Sequence, residues 1–377
     1  MRDLFRPLSL LLAAPLLASA APALATGDTD LGGDELQFWE SDPASAEETM
    51  VVVPLDSLPT GEHRWTNRVG GGVDLTPLLH EGRLYVPGFK GISAIDPESG
   101  ETLWRSEFGD GATSAIALYG DTLYVGAFDG HFHALDAETG ESRWSVATEG
   151  WIRSTPVIQN GVAYFGSNDN HLYAVDVERG QLLWRAETGG WVLGSPGVMP
   201  DIVVAASVDR SIYGFERLTG ELAWKVTTGN EIDSDIVTSM GVAIVASRDG
   251  FLYGVGGESG EVLWRAEAEL TASSSPVVSE GVVYVGETAG GLTAIEARTG
   301  RELWSFDGSR EATASPVVRD GAIYFSSVDH RLHALDAYSG EHRWTHRGPL
   351  NSQYTQLSVL GGTLYAATNR GELHAFN

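Results

Sequence analysis

The chain has 377 residues, a formal net charge of -27 and no cysteine. So acidic a surface excludes binding to phosphate backbones and adsorption to anionic membranes, both of which need positive charge. The lack of thiols excludes disulfides, Cys-based metal sites, haem attachment, thiol nucleophiles and a lipid carried on an N-terminal Cys, so the core alone must stabilise the fold.

In chain order, Arg2 and Arg6 precede an apolar run from Leu8 to Leu17 and then Ala23-Leu24-Ala25. This is the layout of a secretory signal peptide, expected over residues 1–25. The apolar run falls short of the roughly 20 residues that span a bilayer, so no transmembrane segment is expected. The expected location is periplasmic or extracellular, as a soluble protein. Residues 26–48 hold eight acidic and no basic side chains among Gly, Ser and Thr. They are read as a disordered acidic linker.

From about residue 49 a repeat takes over. Trp65, Trp104, Trp144, Trp184, Trp224, Trp264, Trp304 and Trp344 stand 39 residues apart once and 40 apart thereafter, each with a Gly four residues before it. Fixed spacing of this kind is the mark of a repeat architecture. In the copy ending at Trp304, Pro276-Val277-Val278, Val282 to Gly286 and Leu292 to Glu296 are separated by turns at Glu280-Gly281, Ala289-Gly290 and Thr299-Gly300, and a last run passes through Glu302-Leu303-Trp304. Short β-branched runs between Gly-containing turns predict four antiparallel strands, A to D, with no room for a helix. Four strands per 40 residues is the unit of a β-propeller blade.

Strand A begins near Thr76, Ser114, Thr155, Ser195, Asp235, Ser275, Ser315 and Thr355, giving eight blades. The last copy ends at Asn377 without a strand D, while Gly61-Glu62-His63-Arg64-Trp65 is a strand D with no complete A to C before it. The N-terminal strand is therefore expected to complete the last blade and close the ring, removing two free sheet edges. The expected fold is an all-β, eight-bladed propeller over residues 49–377.

The repeat is most complete at Ala134 to Trp144, Ala-x-Asp-x-x-Thr-Gly-x-x-x-Trp. Each part has a structural role: the Gly supplies the positive φ of the C–D turn, Asp and Thr hydrogen-bond across it, and the Trp buries a large surface between sheets. This motif resembles the tryptophan-docking repeat of the quinoprotein-type (PQQ-like) propellers, and the resemblance covers roughly residues 49–377. It implies that the Trp of one blade stacks on the motif of the next. The family has a catalytic branch, the pyrroloquinoline quinone dehydrogenases, and a non-catalytic, BamB-like branch.

Function is sought where the copies disagree. Antiparallel order places the D-to-A connections and B–C turns on one face. In the dehydrogenases these connections line the pocket for the quinone and its Ca²⁺. Seven and nine residues after successive Trp residues lie Trp151, Arg153, Trp191, Glu231, Asp233, Glu311, Asn351 and Gln353, which form the candidate ligand- or partner-binding set on the axial face. Glu231, Asp233 and Asp235 alternate as a weak Ca²⁺ candidate. His131, His133, His171 and His330 fall at or near B–C turns without metal-site spacing. The sequence holds no Gly-x-Ser-x-Gly elbow, His-Glu-x-x-His or phosphate loop, and thus no catalytic constellation. The chain also has almost no insertions between blades, whereas the dehydrogenases are longer and many carry a vicinal Cys pair. The expectation is a non-catalytic, monomeric scaffold without a cofactor, binding a protein partner in the cell envelope. The alternative is a quinone-dependent dehydrogenase or quinone-binding sensor that takes PQQ with Ca²⁺.

Overall fold

The computed structural model describes residues 35–41, 48–54, 63–68, 76–88, 90–109, 111–268, 275–287, 291–308, 315–348, 353–370 and 372–377. The expected signal peptide, residues 1–25, lies outside the described residues. Of the stretch 26–48, read as a disordered linker, Glu35–Ser41 forms a strand paired antiparallel with Glu48–Pro54.

The remaining strands form eight four-stranded antiparallel sheets. Blade 2 is representative, with strand A at Ala117–Tyr119, B at Thr122–Gly126, C at His131–Asp136 and D at Ser142–Ala147. Strand B there is buried throughout, whereas D alternates between exposed and half-buried residues. The inner strands are apolar on both sides because neighbouring blades cover both faces of each sheet. The outer strand meets solvent.

Blade 8 takes A from Tyr354–Leu360, B from Thr363–Thr368, C from Glu372–Phe376 and D from His63–Arg68. The N-terminal strand therefore does complete the last sheet. Its register even reproduces the bulge of the other blades. In blade 2, Ala134 pairs with Trp144 and Leu135 with Ser142, leaving Arg143 as the extra residue. In blade 8, Ala375 pairs with Trp65 and Phe376 with His63, leaving Arg64. Such a bulge adds twist to the outer strand.

Eight hydrophobic clusters fill the eight gaps between blades. One joins Leu84, Val86 and Ile95 of blade 1 to Tyr365, Leu373 and Ala375 of blade 8, with Trp65 packed against it, so the ring is continuous. The repeated Trp ties each gap at its rim. Trp65, Trp184, Trp224, Trp264 and Trp304 donate Nε1–H to the carbonyls of Pro97, Arg217, Gly257, Ala297 and Ala337 on the next blade, at 2.8–3.1 Å. The indole lies flat on the Gly of that blade's C–D turn. At Gly300 a Cβ would sit 2.6 Å from the Trp264 ring, and φ there is +72°, so glycine is required twice over. The small residue opposite the Trp has a matching reason: a Cβ at Gly214 or Gly254 would lie 2.1 Å from the ring of Trp224 or Trp264, and the other blades hold Ala at that place.

Within the turn, Asp136 Oδ1 accepts from Glu138 N, Thr139 N and Thr139 Oγ1, and Oδ2 accepts from Arg143 at 2.7 Å. The Arg143 hydrogen bond, helped by the Thr139 backbone, holds the Asp136 carboxyl down at about 2. The turn chemistry read from the sequence is thus the turn chemistry observed.

Trp264 is the most enclosed of these indoles, at 9% exposure. Trp264→Ala is expected to lower stability by about 3–5 kcal/mol in urea unfolding, as for other buried aromatics. Deletion of residues 49–68 removes the strand that closes blade 8. The expected result in circular dichroism and sedimentation is an unfolded or oligomeric protein, and a stable monomer would contradict a structural need for this closure.

Candidate functional site

The D-to-A connections are pinned to the face they occupy by backbone bonds to the B–C turn of the following blade. Asn168 N donates to Trp151 O at 2.8 Å, Val208 N to Trp191 O at 3.0 Å, Arg248 N to Glu231 O at 3.0 Å and Asn369 N to Gln353 O at 3.1 Å. The next residue along, Ile152, Val192 or Ile232, is fully buried. Each of these three connections is thus anchored by one apolar side chain, which leaves the residues on either side of it free to differ between blades. Its sequence signal is an apolar residue eight places after Trp144, Trp184 and Trp224.

The two indoles on this face remain half exposed, Trp151 at 52% and Trp191 at 51%. Trp151 meets Phe128 of a B–C turn edge-on, at 5.2 Å between ring centroids. Arg153 and Asp233 line an axial cavity of about 940 Å³. Asp233 is held by Arg248, whose Nε lies 3.1 Å away, and that carboxylate raises the guanidinium pKa further. Arg153 is exposed and makes no hydrogen bond or ion pair with any described residue. Glu231 is exposed beside these groups, and its own N–H is taken by Asn230 Oδ1. Glu311 and Asn351 lie outside the described residues. Of the predicted set, Arg153 and Asp233 share the cavity wall, while Trp151, Trp191, Glu231 and Gln353 stand around it.

The wall also contains a belt that sequence reading missed. Eleven residues after successive Trp residues, backbone N–H groups bond the side chain of the equivalent residue one blade on. Ala115 N donates to Thr155 Oγ1 at 3.2 Å, Thr155 N to Ser195 Oγ at 3.2 Å, and Ser195 N to Asp235 Oδ1 at 2.7 Å. Asp235 N donates to Ser275 Oγ at 3.1 Å and Ser275 N to Ser315 Oγ at 2.8 Å. The sequence carried the signal in the Thr, Ser and Asp residues that open strand A. Those residues look like ordinary strand starts until the ring brings them together.

The Ca²⁺ candidate Glu231, Asp233 and Asp235 does not assemble. Asp233 is engaged by Arg248 and Asp235 by a backbone N–H, and among the described residues no group of three His, Asp or Glu is placed to hold a metal. The donor set therefore does not fit the Ca²⁺ that would accompany a quinone. His131 and His171 each bond the carbonyl of the Asp two residues before, and His133 contacts Asp129 at 3.1 Å. Burial lowers the His133 pKa against the pull of Asp129.

Compared with known proteins, residues 88–190, 172–266, 208–314 and 248–377 match the family model described as outer membrane protein assembly factor BamB. An 85-residue stretch is 33% identical to the outer membrane protein assembly factor BamB of Aliivibrio fischeri, covering 20% of this chain and 22% of that protein. A 75-residue stretch is 33% identical to quinohemoprotein alcohol dehydrogenase ADH IIB of Pseudomonas putida, covering 17% of this chain and 11% of that enzyme. The matches thus span less than a quarter of either relative's length. The crystal structure of BamB from Moraxella catarrhalis superposes with a TM-score of 0.69 at 22% identity, over 84% of this chain and 97% of that one, a likeness of fold. With eight docked blades and a family match that runs from residue 88 to the C-terminus, the chain belongs to the PQQ-like repeat β-propellers of the BamB family.

Proposed function

We propose that the protein is an exported, non-catalytic scaffold that acts as a monomer in the cell envelope. It binds a protein partner through the face bearing the D-to-A connections, as part of outer-membrane protein assembly. The observation that carries this reading is the pair of half-exposed indoles, Trp151 and Trp191, on adjacent connections beside the unpaired Arg153. Trp and Arg are the side chains most often found at interaction hot spots, and a half-exposed indole gains from burial by a partner. Glu231, Glu311, Asn351 and Gln353 would supply the polar rim of that contact. The buried anchors Ile152, Val192 and Ile232 hold their connections in place before binding, which lowers the entropy lost on association.

A second reading rests on one observation, the axial cavity that Arg153 lines. A planar anionic quinone would find there a guanidinium, hydroxyls and nearby indoles, although the carboxylates do not form a seat for its Ca²⁺.

Two experiments separate these readings. Photo-crosslinkers are placed in cells at positions 151 and 191, and at Leu218, an exposed residue on the C–D turn of the opposite face. The expected result is that positions 151 and 191 capture the same component of the outer-membrane assembly machinery and Leu218 does not. Capture from Leu218 alone would refute the choice of face. Purified protein is also titrated with pyrroloquinoline quinone and Ca²⁺ while Trp fluorescence and dye-linked alcohol oxidation are followed. No saturable quenching is expected, and quenching with turnover would replace the scaffold by the dehydrogenase. Against the captured partner, the Trp151→Ala, Trp191→Ala double variant should weaken binding about 30-fold or more, the effect of losing a hot spot, with unchanged thermal stability.

A further inference from the structure

The chain has ten histidines, and five of them, His63, His333, His342, His346 and His374, lie on the outer two strands of blades 7 and 8. Blade 7 has strand C at Arg331–Asp336 and D at His342–Arg347. Its D strand and the N-terminal strand share the hexapeptide Gly-Glu-His-Arg-Trp-Thr, at 340–345 and 61–66. The shared residues build the same relay twice. In blade 8, His63 Nε2 lies 2.9 Å from Thr66 Oγ1, which lies 3.0 Å from His374 Nδ1. In blade 7, His342 Nε2 lies 2.7 Å from Thr345 Oγ1, which lies 3.2 Å from His333 Nδ1.

A threonine hydroxyl has one proton to donate. Between two neutral imidazoles it accepts from one and donates to the other, which satisfies the hydroxyl and the two ring nitrogens that face it. With both imidazoles protonated it faces two donors, its own proton has no partner, and two cations stand with ring centroids 5.5 Å apart in blade 8. The relay therefore tolerates at most one imidazolium. Around His374 the other groups are His346 of blade 7, whose ring packs on Phe376 at 4.8 Å, Tyr354 of strand A at 5.7 Å, Glu372 on its own strand at 3.8 Å, and Arg64, which bonds Thr363 across the sheet. Glu372 alone favours the charged imidazole. Burial dominates, with His63 and His346 adding to it, and the His374 pKa falls to about 4.

The two relays differ in how their outer strand is tethered. Blade 7's strand D continues from strand C through the turn at Tyr338–Gly340. Blade 8's strand D pairs with a strand 311 residues away in sequence, and only non-covalent contacts hold it to that sheet.

We propose that the His63–Thr66–His374 relay is an acid-operated latch on the ring closure, which holds the N-terminal strand on the last blade at neutral pH and releases it on mild acidification while the other blades stay folded. The sign follows from proton linkage. Opening returns His374 towards its ordinary pKa of 6.5, so the open form takes up a proton that the closed form refuses. Closure is at full strength above 6.5 and weakens as pH falls from there towards 4. Release frees the strand edge Glu372–Phe376 and leaves the N-terminal strand attached to blade 1 through Trp65.

The test is hydrogen exchange by mass spectrometry on the full chain at about pH 7.5 and about pH 5, with rates corrected for the chemical pH dependence. At the lower pH, protection of peptides over 63–68 is expected to fall about 30-fold relative to 211–216 in blade 4, the linkage ratio for one imidazole that titrates near 4 when the strand is closed and near 6.5 when it is open. Peptides over 342–347 should fall less. His374→Gln, which keeps a hydrogen-bonding side chain without a titrating ring, should retain protection at 63–68 at the lower pH. Should that variant fail to fold, His63→Gln removes the second cation and should reduce the loss. A loss that is uniform across all blades, or that is the same in the folded variants as in the native chain, would overturn the latch.

Discussion

The structure depends on one interaction, the flat contact of each blade's tryptophan with the glycine turn of the next. It joins chemistry that is local in sequence, an Asp-x-x-Thr-Gly turn, to a partner about 36 residues away, and it recurs in seven gaps among the described residues, from Trp65 on Gly100 to Trp304 on Gly340. At Trp65, Trp184, Trp224, Trp264 and Trp304 the Nε1–H bond to a turn carbonyl fixes the indole's rotation, and the glycine lets the ring approach to van der Waals contact. No other residue can provide both the close approach and the positive φ. Because a blade so docked is held by its successor, the indole helps to set the angle between blades, and it does so in seven of the eight gaps among the described residues.

Closure adds a demand that the repeats alone do not meet. In a chain folded as eight consecutive blades, no strand would tie the last sheet to the first. Here the strand D of blade 8, His63–Arg68, precedes blade 1 in the chain, so it carries both the sheet register on Phe376 and Ala375 and the indole Trp65 that docks on blade 1. The same six residues thus bind the last blade through the backbone and the first through a side chain. That double duty explains why the N-terminal strand copies blade 7's outer strand so closely, with its bulge, its arginine and its imidazole relay.

The face that bears the D-to-A connections is built differently. Its connections are anchored by buried Ile152, Val192 and Ile232, and its variable residues stand on either side of those anchors. Around the axis, backbone N–H groups are satisfied by hydroxyls from the neighbouring blade, so the cavity wall is polar without being strongly charged. In a protein of net charge -27, a wall that balances Arg153 and Arg248 against Asp233 and Asp235 is a local departure from the global acidity.

Blade number, strand order, the turn at each glycine and the origin of the closing strand were all legible in the sequence, because each follows from contacts within one repeat or from counting copies. The positions that would carry function were legible only as places where copies differ. Tertiary structure decided which of them meet. Arg153 and Asp233 are 80 residues apart and share a wall only because the ring curves them onto one axis. Asp233 and Asp235, read together as a cation site, are separated in chemistry by Arg248 and by the backbone of Ser195, neither of which is near them in sequence. The hydroxyl belt and the histidine relays escaped for the same reason. A hydrogen bond between residues 40 or 311 apart leaves no local pattern, and it exists only once the blades have closed into a circle.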